Sequence, residues 1–147
     1  QGVADFLLDT VAGIGIDTSG AQLLDASGMS YDQKVPARLI AELLTAATTG
    51  AEPALRPLVA DLPVAGLSGT LTGRYHDTST RVVAGIPRAK TGTINQTIAL
   101  AGTTMTRDGR PLVFVTIAYE VPREGRLEAQ LALDRLTTAL TECGCRE

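Results

Sequence analysis

Between residue 87 and the C-terminus, three short β-branched runs with brief connections precede one long amphipathic run, and this order most constrains the fold. Ala89 to Ile94, Ile98 to Thr104 and Leu112 to Tyr119 are rich in Thr, Ile and Val, side chains that suit a pleated, half-buried surface. Arg107-Asp108-Gly109-Arg110 joins the second run to the third, and Asp-Gly supplies the positive φ that a tight hairpin needs. Three antiparallel strands in meander order follow. From Glu124 to about Thr141, the spacing places Ala129, Ala132, Leu133, Leu136, Leu140 and Cys143 on one face, the pattern of a helix lying on a sheet.

The first part of the chain is helical and loop-rich. Val3, Phe6, Leu7, Val11 and Ile14 predict a helix over residues 1–14, stopped by Gly13 and Gly15. Gly20 to Leu24 reads as a short extended segment, and residues 25–32 as turns. Pro36 suits the first turn of a second helix, carried by Leu39, Ile40, Leu43, Leu44 and Ala47 and ended by Gly50. Prolines and glycines punctuate residues 52–85, which predicts loops and short helical turns. The expected class is α/β in the α+β sense: helices and loops over 1–86, three antiparallel strands over 87–119 and a helix over 124–141. Because the chain begins abruptly in an amphipathic helix, it reads as the C-terminal piece of something larger.

Composition narrows the function classes. The chain has 147 residues, 44% of them hydrophobic, which is enough for one core; with 3% aromatics and no Trp, that core must be built mainly from Leu, Val, Ile and Ala. A net charge of −3 without a basic block argues against nucleic-acid binding. No apolar run approaches the roughly 20 residues of a membrane span. Cys143 and Cys145 are too close for anything but a small, strained ring; free thiols, a metal, or a bond to a cysteine elsewhere remain open, although zinc would want more ligands. No cofactor or metal is expected.

The chemistry concentrates at Lys90-Thr91-Gly92-Thr93, at the start of the first predicted strand. A glycine there removes a side chain where a ligand must lie against the backbone. The Thr91 hydroxyl suits a carboxylate, Lys90 adds a positive charge, and the Thr93 N–H suits an oxyanion. Together they form an anion-binding wall that lacks a nucleophile. Three residues before Lys34 and Lys90 stand Tyr31 and Pro87, so no Ser-Xaa-Xaa-Lys is present, nor is a Ser-Xaa-Asn. Chance produces a Lys-Ser/Thr-Gly triplet in roughly one such chain in twenty-five, so context must carry it. Ser27 and Ser30 read as turn formers. His76 beside Asp77 does not make a triad, and Asn95 faces either a ligand or solvent.

Context is supplied by neighbouring segments. Asp25-Ala26-Ser27-Gly28-Met29-Ser30, Leu62 to Leu71, and Arg88 to Asn95 each resemble segments of the D-alanyl-D-alanine carboxypeptidases of the class-C, penicillin-binding-protein-4 type. The resemblance covers nearly the whole chain, and the ending Cys143-Gly144-Cys145-Arg146 looks like that of actinobacterial members. It implies the C-terminal part of a penicillin-binding transpeptidase-like domain, its antiparallel sheet flanked by helices and completed by an N-terminal segment outside this chain, in the cell envelope or a periplasm-like space. A serine would attack the penultimate D-alanine carbonyl of peptidoglycan stem peptides, and β-lactams would acylate the same serine. By position, Lys90 would act in substrate binding and charge control, Thr91 would bind the terminal carboxylate, Gly92 would permit close approach and Thr93 would offer its N–H. The Ser-Xaa-Xaa-Lys and Ser-Xaa-Asn motifs would come from an upstream segment or partner chain. The alternatives are a non-catalytic binding or structural domain of the same fold, and a β-lactamase or esterase relative.

Overall fold

The structure, a computed structural model, describes residues 2–143. Strands β1 (Arg88–Ile94), β2 (Thr97–Met105) and β3 (Pro111–Ala118) form an antiparallel sheet in the order β1-β2-β3. Its register sets Lys90 opposite Ala101, Thr91 opposite Leu100 and Gly92 opposite Ala99. On β2, strand alternation buries Ile98, Leu100, Gly102 and Thr104. That face packs on the long helix of Arg126–Glu142, where the Thr104 and Thr141 hydroxyls lie 2.7 Å apart in the interior.

Three further helices precede the sheet. Helix α1 spans Val3–Gly13, α2 spans Ala37–Thr49 and α3 spans Arg56–Ala60, which makes the long C-terminal helix α4. Pro36 sits at the N-cap of α2, and Gly50 ends that helix in the left-handed region at φ 73°. Helix α2 packs against β3 and β2; its Ile40 shares a cavity with Ala99 and Ile117, on the sheet face turned away from α4. The result is a helix on each side of one sheet. Helix α1 is attached more lightly: it buries no residue fully, and Val3 and Phe6 are 65% and 61% exposed. Among the described residues, no helix is long and apolar enough to cross a membrane.

The loop between α3 and β1 closes the core. It folds through short 3-10 turns at Gly69–Leu71 and Arg81–Val83, and it sends Ala65, Leu71, Tyr75 and Val83 into one cluster with Ala89, Leu100, Phe114 and Leu133. Two backbone bonds tie it to the start of β1, Ala89 N–H to Pro63 O at 2.8 Å and Ala65 N–H to Pro87 O at 2.9 Å.

Helix α4 corrects the face read from its apolar residues. Ala129, Leu133 and Leu140 do meet the core, but Ala132 is exposed and Leu136 is 47% exposed. Asp134, Thr137, Thr138 and Thr141 are buried instead. The threonines manage this because each hydroxyl donates to the carbonyl four residues back, at 3.0, 2.8 and 2.8 Å, leaving mainly a methyl group to pack. Asp134 is satisfied by Arg74 of the covering loop, at 2.6 and 3.0 Å. Cys143 is disulfide-bonded; Cys145 lies outside the described residues.

Candidate active site

Strand β1 is an edge strand, bonded on one side to β2. Among the described residues, its other side is covered only at the start, where Val64 bridges Arg88 and Pro63 accepts from the Ala89 N–H. In a β-strand the N–H and C=O of one residue point the same way and alternate along the chain. The backbone groups of Thr91 and Thr93 therefore point as those of Ala89 do, onto the stretch past the loop. The Lys90 side chain bends over this edge, and its ammonium donates to the Thr91 carbonyl at 2.9 Å.

Facing the edge is a turn built around one carboxylate. Asp25 accepts from the Ser30 and Ser27 hydroxyls, from the Ser27 N–H at 2.7 Å and the Gly28 N–H at 3.0 Å, and from the Gln33 amide at 3.4 Å. Its pKa is lowered to about 2, first by the Ser30 hydroxyl and then by that of Ser27, so the turn keeps its anionic hub throughout the neutral range. Backbone bonds between Gln22 and Lys34, at 2.7 and 2.8 Å, close the base of this segment. Ser27 and Ser30 thus serve the turn. Between Ser27, Gly28 and Met29 on one side and Lys90 to Ile94 on the other lies a groove of about 410 Å³.

Gly92 leaves that groove bare. A Cβ added there would meet only the Ala99 methyl at 3.4 Å, an ordinary contact, and its φ is not in the left-handed region. The fold itself would accept alanine, although a glycine inside a strand weakens it. What the glycine provides is room for a second backbone or a ligand.

Thr91 brings in a residue that sequence reasoning missed. Its hydroxyl donates to the Thr70 hydroxyl at 3.0 Å, and Thr70 sits on the 3-10 turn of the covering loop. The surrounding Leu62 to Leu71 segment was legible as one that precedes a lysine motif, but no local pattern marked Thr70. The other candidates stay apart from this edge. His76 bonds the Thr72 carbonyl at 2.7 Å, while Asp77 is taken up by Ser79 and Thr80. Asn95 forms the exposed β1–β2 turn at φ 49°, and its carbonyl accepts from Arg126. Among the described residues, no cluster of three or more His, Cys, Asp or Glu is placed to hold a metal. The edge gathers one ammonium, hydroxyls from two elements, outward N–H groups and a bare glycine, a set of groups chemically able to accept an anion.

Comparison with known proteins bears on what that edge serves. Residues 2–140 match the D-Ala-D-Ala carboxypeptidase 3 (S13) family. Carboxypeptidase DacB of Mycolicibacterium smegmatis is 45% identical over 146 residues, 99% of this chain and 31% of that protein. The D-alanyl-D-alanine carboxypeptidase of Actinomadura sp. strain R39 is 38% identical over 99 residues, 64% of this chain and 18% of that one. The crystal structure of penicillin binding protein 4 from Haemophilus influenzae, complexed with a β-lactam, superposes with a TM-score of 0.80 at 22% identity, covering 95% of this chain and 33% of that one. This chain therefore spans about a third of the length of the fullest of these matches.

Proposed function

Because the chain belongs to the D-Ala-D-Ala carboxypeptidase 3 (S13) family, we propose that it forms the carboxylate-holding wall of a serine D,D-peptidase active site, with the attacking half supplied by residues outside these 147. The observation that carries this reading is the open β1 edge, where Lys90, Thr91, Gly92 and Thr93 face a groove whose one serine among the described residues, Ser27, is engaged by Asp25.

In this reading the terminal carboxylate of a D-Ala-D-Ala stem peptide lies against the Thr91 hydroxyl, within the field of Lys90. The peptide backbone runs close along Gly92. The Thr93 N–H, pointing off the edge, is available to the oxygen that gains charge when the penultimate carbonyl is attacked. The nucleophile, in a Ser-Xaa-Xaa-Lys motif, and a Ser-Xaa-Asn motif come from an upstream segment or partner chain. The serine forms an acyl-enzyme as terminal D-alanine leaves, and water hydrolyses it. β-Lactams, which carry a carboxylate beside a strained amide, acylate the same serine. The work is that of a carboxypeptidase or endopeptidase of the bacterial cell envelope, outside the cytoplasm.

Thr91→Val tests the assignment. Removing one hydrogen bond to a charged group costs about 1.5 to 3 kcal/mol, so acylation of the longer protein by a penicillin should slow by about 10- to 150-fold. An unchanged acylation rate contradicts the role given to Thr91.

A further inference from the structure

We propose that Thr70 is a positioning residue for Thr91, orienting and polarising its hydroxyl toward the substrate carboxylate. The proposal rests on the reading of Thr91 as the carboxylate donor.

The two oxygens are 3.0 Å apart, on elements separated by 21 positions in sequence. A hydroxyl carries one hydrogen and accepts through its lone pairs. In the structure Thr91 donates to Thr70. When a carboxylate arrives, the Thr91 hydrogen turns to the anion. The Thr70 hydroxyl then supplies the hydrogen for the bond between the two oxygens. A hydroxyl that accepts one hydrogen bond while donating another is the stronger donor, and its rotamer is held from behind.

Thr70 is placed well for this. Its neighbour Leu71 is fully buried, and the Leu71 carbonyl accepts from the Gly66 N–H at 3.1 Å. Gly69, at φ 53°, is packed so closely that a Cβ would come within 3.0 Å of the Pro63 ring. The backbone around Thr70 is therefore set by packing, whereas its side chain is exposed beside the groove. Replacing the hydroxyl changes the site without opening the core.

The experiment uses the longer protein that carries this chain and compares acylation by a penicillin with acylation by the methyl ester of its carboxylate. Thr70→Val should slow the free acid by about 2- to 10-fold and leave the ester unchanged. Thr70→Ser should restore the rate to within about twofold, and the Thr70→Val, Thr91→Val double variant should be no slower than Thr91→Val alone. A normal rate for Thr70→Val beside a slow Thr91→Val overturns the proposal and leaves the carboxylate site standing. Equal slowing of acid and ester also overturns it, since that is what a structural role produces. If Thr91→Val itself acylates normally, the carboxylate reading falls and takes this proposal with it.

Discussion

Replacing Gly102 with alanine is expected to destabilise the fold by about 3 kcal/mol or more, at the upper end of overpacking effects. Gly102 lies opposite Ala89, whose N–H turns away from β2 to the Pro63 carbonyl. The pair is thus of the non-hydrogen-bonded kind, in which the two strands approach most closely. A Cβ on Gly102 would fall 1.9 Å from the Arg88 carbonyl oxygen, 2.6 Å from the Ala89 Cα and 2.8 Å from the Ala89 Cβ. Two of these neighbours are backbone, so no rotamer change relieves them. β1 must move off β2 at the point where the covering loop is tied to it. Chemical denaturation should show a large drop in midpoint, whereas Gly92→Ala, with its single 3.4 Å contact, should leave the midpoint close to wild type. A Gly102→Ala protein as stable as the parent contradicts this register.

The second large effect is expected at Asp134. Its side chain is 2% exposed and its partner Arg74 only 13%. The guanidinium is held by two contacts to the carboxylate and one to the Gln130 carbonyl at 3.4 Å. A buried pair is weak evidence for net stabilisation, but removing one partner leaves the other charge without compensation, at a cost of about 3 to 5 kcal/mol. Asp134→Ala should therefore lower stability by that amount. Replacing both residues with apolar ones of similar size should recover most of it, which separates the stranded charge from lost packing. The pair also fastens the covering loop to α4 beside Tyr75, which is buried at a positive φ of 61°. Burial, and secondarily the Asp134 charge, raise the Tyr75 pKa, so its hydroxyl stays protonated. Thr70 stands on the same loop. A full-strength Asp134→Ala protein contradicts the account of how that loop is held.

What the sequence disclosed and what it hid divide along the range of the forces involved. The three strands were legible because β-branched runs and the Asp108-Gly109 turn are local signals; so were the α2 boundaries, set by Pro36 and Gly50. The inward face of α4 was not. Thr137, Thr138 and Thr141 count as polar in any pattern, yet bonds to their own helix let them pack inside. Gly102 looks like any strand glycine until the neighbouring strand is placed against it. Arg74 and Asp134 stand 60 positions apart, with nothing local to pair them. At the site, Lys90 to Thr93 stood out as a motif, but Thr70 did not. Its meaning depends on a loop being laid beside β1 by the Pro63 and Ala65 backbone bonds. Ser27 and Ser30 stand in a Ser- and Gly-rich stretch that marks a turn, and their hydroxyls are engaged by Asp25.

Lys90, Thr91, Gly92 and Thr93 are proposed to hold the substrate's carboxylate while the nucleophile comes from elsewhere. Labelling with a fluorescent penicillin tests it most directly, with the 147-residue chain run beside the longer protein that carries it. The account predicts a covalent label on the longer protein, at a serine outside this chain, and none on the chain alone. Covalent labelling of the isolated chain, or a longer protein that lacks Ser-Xaa-Xaa-Lys and takes no label, would contradict it.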